Sequence, residues 1–125
     1  MKGSDYRRKA AGRSGEDAAV QFLEKQGYSI LERNYRLRTG EVDIIARDGE
    51  YLVFIEVKTR RGQKFGTPFD AVDVRKQRQI SKVALAYIQG RDIPVRFDVV
   101  AVRLHGQAGQ TARMELLKNA FEYIE

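Results

Sequence analysis

The stretch GEVDIIARDGEYLVFIEVKTR, residues 40–60, decides how this chain folds. Two runs rich in Val, Ile and Phe flank Arg47-Asp48-Gly49-Glu50, and Asp-Gly between strand-like segments signals a two-residue type I′ hairpin turn. With Asp48 and Gly49 as the turn, paired residue numbers sum to 97, which sets Ala46 against Tyr51, Ile44 against Val53, Asp43 against Phe54 and Glu41 against Glu56. Alternation then puts Val42, Ile44, Ala46, Val53, Ile55 and Val57 on one face. Glu41, Asp43, Phe54, Glu56 and Lys58 fall on the other. Asp43 and Glu56 become diagonal neighbours, roughly 7–8 Å apart. Two carboxylates at that spacing beside apolar residues repel each other and lose hydration, so a positive group is expected between them.

A divalent cation meets that demand. Carboxylates and a backbone carbonyl are hard oxygen ligands that suit Mg²⁺ or Mn²⁺. Zinc would bring Cys or His, and the chain has no Cys and only His105. Lys58, two residues beyond Glu56 on the same face, would set an ammonium where it can stabilise negative charge or favour a deprotonated nucleophile. The plainer alternative is a surface salt bridge on an ordinary hairpin, since Glu-X-Lys is common on exposed strands.

Asp43, Glu56 and Lys58 resemble the PD-(D/E)XK signature of the restriction-endonuclease-like nucleases. An ordered set of segments is similar to the YraN-like family of small bacterial proteins: residues 15–19 (GEDAA), 33–36 (RNYR), 40–46 (GEVDIIA), 56–60 (EVKTR), 76–78 (KQR) and 96–100 (RFDVV). Archaeal Holliday junction resolvases resemble the same pattern, with a helix glutamate ahead of Asp and Glu-Val-Lys on a hairpin. The resemblance implies a nuclease fold, a Mg²⁺ or Mn²⁺ site held by Asp43, Glu56 and the carbonyl of Val57, and a nucleic-acid substrate, DNA being the expected one. It assigns Lys58 to the attacking water, Glu16 to the outer shell of the metal and Gln77 to a supporting contact. Two positions depart from the pattern. Val42 stands where the nominal signature has proline, and no Gln-X-X-X-Tyr follows, Ser81 being four residues past Gln77. The second departure argues against the exonuclease branch.

At 125 residues the chain suits one domain, able to bury roughly two thirds of its surface without disulfides. Its 42% apolar and 32% charged composition is that of a globular protein. No run approaches the ~18 apolar residues of a membrane span, and a cytoplasmic location is expected. The net charge of +6 points to an anionic partner. Residues 1–40 hold nine Lys or Arg against five acids and residues 59–96 hold nine against three, while the acid-bearing hairpin lies between. Such flanks suit phosphate-backbone binding, in which each neutralised phosphate releases counterions.

Along the chain, residues 1–13 read as a mobile basic arm and 14–125 as a single nuclease-like domain. Ser14 is a candidate N-cap for a helix from about Glu16 to Gln26, with Gly27 as its C′ residue. Glu16 shares the inward stripe of Ala19, Val20, Phe22 and Leu23. Tyr28–Tyr35 reads as the first strand, leading through a basic connection into the hairpin. Arg33, Arg36 and Arg38 there, with Arg60, Arg61, Lys64 and Lys76, are the candidate nucleic-acid contacts. Residues 60–69 read as a glycine-containing loop past Lys58. Asp73 should cap a helix over 74–89 with Ile80, Val83, Ala84, Tyr87 and Ile88 inward, and one of Lys76 and Gln77 turned toward the acids. Pro94–Leu104 reads as a strand in which Asp98 partners a basic residue. Residues 116–124 form a last strand or helix.

This order gives an α/β fold, a restriction-endonuclease-like mixed sheet flanked by helices. The functional expectation is a metal-dependent nuclease hydrolysing phosphodiester bonds in DNA, branched DNA included. The alternative is a non-catalytic nucleic-acid-binding module of the same fold. The likeness to resolvases makes a two-fold homodimer attractive, although no segment announces its interface.

Overall fold

The computed structural model describes residues 15–61, 72–106 and 111–125. The basic arm, Ser14, Lys64 and most of the predicted 60–69 loop lie outside the described residues. Helix α1 covers residues 15–25, and the strands are β1 (Ser29–Leu37), β2 (Gly40–Asp48), β3 (Tyr51–Arg61), β4 (Val95–His105) and β5 (Thr111–Phe121), with α2 (Val74–Ile88) between β3 and β4. The final segment is therefore a strand, and β3 carries Arg60 and Arg61 in the sheet instead of in a loop.

One five-stranded sheet is ordered β1-β2-β3-β4-β5. The first three strands form an antiparallel meander, α2 crosses over to bring β4 parallel to β3, and β5 returns antiparallel. Each face has its own core. On one, Ala19 and Leu23 of α1 pack on Ile44, Ala46, Val53, Ile55, Val100 and Val102. On the other, Ile80, Val83 and Ala84 of α2 pack on Val42, Ile45, Leu52, Phe54 and Phe97. This sandwich is the two-faced burial that near-continuous apolar strands require.

The helix ends follow the predicted chemistry. Gly27, at φ +97°, closes α1 with paired bonds from Gly27 N to Glu24 O and Tyr28 N to Leu23 O, both 3.0 Å. Asp73 caps α2, its Oδ1 accepting from Lys76 N at 2.9 Å.

The hairpin corrects the predicted register. Asp48 pairs with Tyr51 and Ile44 with Ile55, so paired numbers sum to 99 and the turn is Gly49-Glu50. A type I′ Asp-Gly turn would need positive φ at both central residues, but of Asp48, Gly49 and Glu50 only Gly49 has it, at +61°. Asp48 stays in the ladder, where its carboxylate accepts from Arg96 at 2.8 Å and Lys118 at 3.3 Å. Because the shift is one residue on each strand, the faces survive, with one exception. Val42 lies in the α2-side core, not beside Ile44 as predicted. Alternation breaks between the pairs Tyr35–Val42 and Arg33–Ile44, where Asn34 takes φ +52° opposite Asp43.

Candidate active site on the central hairpin

The break in alternation positions Asp43. Ladder pairing of β2 with β3 ends at Ile44–Ile55, and just beyond it the Asp43 and Glu56 carboxyls lie close enough to interact directly. Beyond that point the N–H of Val57 donates to Asp43 Oδ2 at 2.7 Å. The carboxylate takes the place of a ladder carbonyl, and it also faces the Glu56 carboxyl, with which it shares a side-chain hydrogen bond when Glu56 is protonated.

Glu56 is buried at 4% exposure. Its Oε2 faces two ammonium groups, Lys76 at 3.4 Å and Lys58 at 3.7 Å, while Oε1 is buried with no hydrogen-bond partner. An unsatisfied buried carboxylate oxygen is costly and calls for an explanation. Burial first, and the neighbouring Asp43 carboxylate second, push the Glu56 carboxyl up to about 7; the two lysines only partly offset this.

That shift has a sign. The unfolded carboxyl ionises near 4.5 and the folded one near 7, so metal-free protein loses stability as pH rises through this window. The loss is about 3 kcal/mol at most. Glu56→Gln, which cannot ionise, is expected to be more stable than the parent at pH 8 in a chelator and nearly equal to it at pH 4. Urea melts at the two pH values measure the difference, and equal gains at both would contradict the burial argument.

The other site residues divide into two groups. Lys58 and Lys76 join the acid pair. Glu16 Oε1 instead accepts from Arg33 Nη2 at 3.1 Å and Asn34 Nδ2 at 2.9 Å, and Gln77 Nε2 donates to the carbonyl of Val72 at 3.0 Å. Of the pair at the start of α2, Lys76 is thus the one at the acids. Among the described residues no three His, Cys, Asp or Glu side chains form a metal-binding cluster. Of the candidate phosphate contacts, Arg33 is held by Glu16 and Asp17, Arg36 by Glu41 at 2.9 Å, and Arg60 bonds the Thr59 carbonyl. Arg38 and Arg61 are exposed. Two open clefts of about 280 Å³ each adjoin the site. One is lined by Lys58, Asp73, Arg75, Lys76 and Gln79, the other by Arg36, Leu37, Gly40, Glu41, Lys76 and Gln79.

A second polar cluster lies on the α1 side of β4, and sequence spacing points to only one of its contacts, that of Asp98 with a basic residue. Asp98, fully buried, accepts from Tyr28 Oη at 2.7 Å, Arg96 Nε at 2.9 Å, Arg96 Nη2 at 2.8 Å and Asn119 N at 2.9 Å. Arg96 Nη2 also reaches Asp48, which links the hairpin tip to β4 and β5. Burial and the Asp98 bond push the Tyr28 phenol well above its usual range, while the Asp98 bond holds the Arg96 guanidinium charged. The predicted basic partner of Asp98 is Arg96. All its bonds are satisfied, as expected of a structural cluster.

A mixed sheet with one helix on each face defines an α/β protein of the restriction-endonuclease-like class. Residues 15–102 match the Uncharacterised protein family UPF0102, and the chain belongs to that family, the YraN-like one. It is similar to a UPF0102 protein of Syntrophus aciditrophicus, 52% identical over 114 residues covering 89% of this chain and 87% of that one. A UPF0102 protein of Caldicellulosiruptor saccharolyticus is 48% identical over 88% of this chain and 95% of its own length. One from Geobacter sulfurreducens is 48% identical over 94% and 92%. No helix among the described residues is long and apolar enough to cross a membrane.

Proposed function

We propose that this chain is a Mg²⁺- or Mn²⁺-dependent nuclease that hydrolyses phosphodiester bonds in DNA. The observation that carries this reading is the buried Glu56 Oε1, which has no protein hydrogen-bond partner in its ionised form, beside the Asp43 carboxylate. The donors suit a hard cation: two carboxylates, one with an oxygen to spare, plus the Val57 carbonyl. Mg²⁺ characteristically takes only one or two carboxylates and keeps several waters, so the lack of a third acid is compatible with it. When bound, such an ion supplies an activated water and neutralises charge on phosphate oxygens.

The protein's own groups do the rest. Val57 N–H fixes the Asp43 carboxylate, and the buried strand pair fixes Glu56. The Lys58 ammonium stabilises the charge that builds on the phosphate as water adds to phosphorus, the P–O ester bond breaks and the water's proton ends, by way of solvent, on the departing oxygen. Glu16 acts from outside the ligand set through Asn34, which stands opposite Asp43, and Gln77 steadies the entry to α2 through the Val72 carbonyl. Exposed Arg38 and Arg61 and the two clefts offer sites for backbone phosphates. A panel of single-stranded, duplex, flap and four-way DNA with matched RNA, incubated with Mg²⁺ and Mn²⁺, tests the proposal. Cleavage that a chelator stops is expected. Salt-sensitive binding of every form with cleavage of none would make the chain a nucleic-acid-binding module instead.

A further inference from the structure

Two lysines share one oxygen of Glu56, but they are mounted differently. Lys58 stands on β3, two residues from Glu56 on the same strand. Lys76 arrives from the first turn of α2, and its Nζ is the nearer, 3.4 Å against 3.7 Å. Lys76 is also, with Gln79, common to both clefts: Lys58, Asp73 and Arg75 complete one, and Arg36, Leu37, Gly40 and Glu41 the other. A lysine rooted between the clefts, on a stem of four methylenes, can swing its ammonium from the carboxylate to either side without any movement of α2.

We infer that Lys76 is a displaceable counter-ion. In metal-free protein it neutralises Glu56; a divalent cation taken by Asp43 and Glu56 repels it, and it turns to a phosphate in one of the flanking clefts. This rests on the metal site proposed above. The physical reason is competition, because a divalent cation on the Glu56 carboxylate repels a neighbouring ammonium about twice as strongly as the second lysine does, and the helix-borne Lys76 is the one with clefts to turn into. By linkage, cation binding then raises affinity for phosphate, and phosphate raises affinity for the cation by the same factor. Lys76 would thus hold the acid pair together between turnovers and make metal and substrate bind in concert.

Titration calorimetry of Mn²⁺ into the parent, Lys76→Met and Lys76→Arg, each confirmed folded by circular dichroism, tests this without reference to activity. Lys76→Met is expected to bind Mn²⁺ about tenfold more tightly than the parent, with Lys76→Arg close to the parent, because removing a like charge beside the ligand removes its repulsion. In a chelator, where Lys76 is occupied by Glu56, Lys76→Met should bind a labelled duplex within about twofold of the parent. A standing phosphate contact would instead lower that affinity and reduce the salt slope by about one, which would overturn the inference. Mn²⁺ binding by the parent that Lys76→Met does not tighten would also overturn it, leaving the metal site intact. Absence of Mn²⁺ binding in both would overturn the metal site and this inference together.

Discussion

Asp43→Asn is expected to leave the chain folded and to lower metal-dependent cleavage by roughly 100-fold or more. The amide oxygen can still accept from Val57 N–H, so the local bond of 2.7 Å in the parent has a replacement. The charge cannot be replaced. Loss of groups that merely orient a metal ligand costs roughly 10- to 100-fold, and a direct carboxylate ligand should exceed that. Removing Asp43's charge also removes one of the causes that push Glu56 up, so metal-free Asp43→Asn should be no less stable than the parent near pH 8. Lys58→Ala should show a comparable loss of cleavage, on the order of 10²–10³-fold for one lost charge-stabilising group, with DNA affinity little changed. Cleavage assays paired with binding isotherms read both effects. Undiminished cleavage by folded Asp43→Asn would remove it from the reaction.

The largest stability effect should come from the other polar cluster. Arg96→Met takes the partner from Asp98, whose side chain is fully buried, and from Asp48 at the hairpin tip. Leaving a buried charge without its partner costs about 3–5 kcal/mol. For a domain of this size that is a fall in melting temperature of roughly 10–20 °C. The guanidinium also lies over the rings of Tyr28 and Tyr51, 5.9 Å and 5.2 Å from their centroids, so packing is lost along with charge. Arg96→Met combined with Asp98→Leu should recover part of the loss, since no stranded carboxylate remains. A loss below about 1 kcal/mol in urea melts of the single variant would show that Asp98 is stabilised by Tyr28 and Asn119 alone.

The central architecture was legible because local signals agreed. Gly27 and Asp73 act at the helix ends as their chemistry demands, the crossover helix brings β4 parallel to β3, and the hairpin faces follow from alternation. Two features escaped because they depend on distant residues. The neighbouring Gly49 marks Asp48 as a turn residue, but Arg96, 48 positions away, gives it a better use in the ladder. Val42 was placed by strict alternation, which Asn34 interrupts on the adjoining strand. The register of β2 on β3, in which paired numbers sum to 99, brings Asp43 closer to Glu56 than an Asp-Gly turn implies. At the start of α2, sequence spacing could bring Lys76 or Gln77 to the acids; the turn of the helix selects Lys76. The type of the last element was open because 116–124 alternates too weakly to separate strand from helix, and pairing with β4 decides it.

Diffraction from crystals soaked in Mn²⁺, with data collected for its anomalous signal, tests the metal centre most directly. One peak per chain is expected, in contact with Asp43, Glu56 and the Val57 carbonyl, with the Lys76 ammonium moved off Glu56. A fully occupied peak elsewhere, or none between these acids in a crystal whose protein still cleaves DNA, would contradict the assignment.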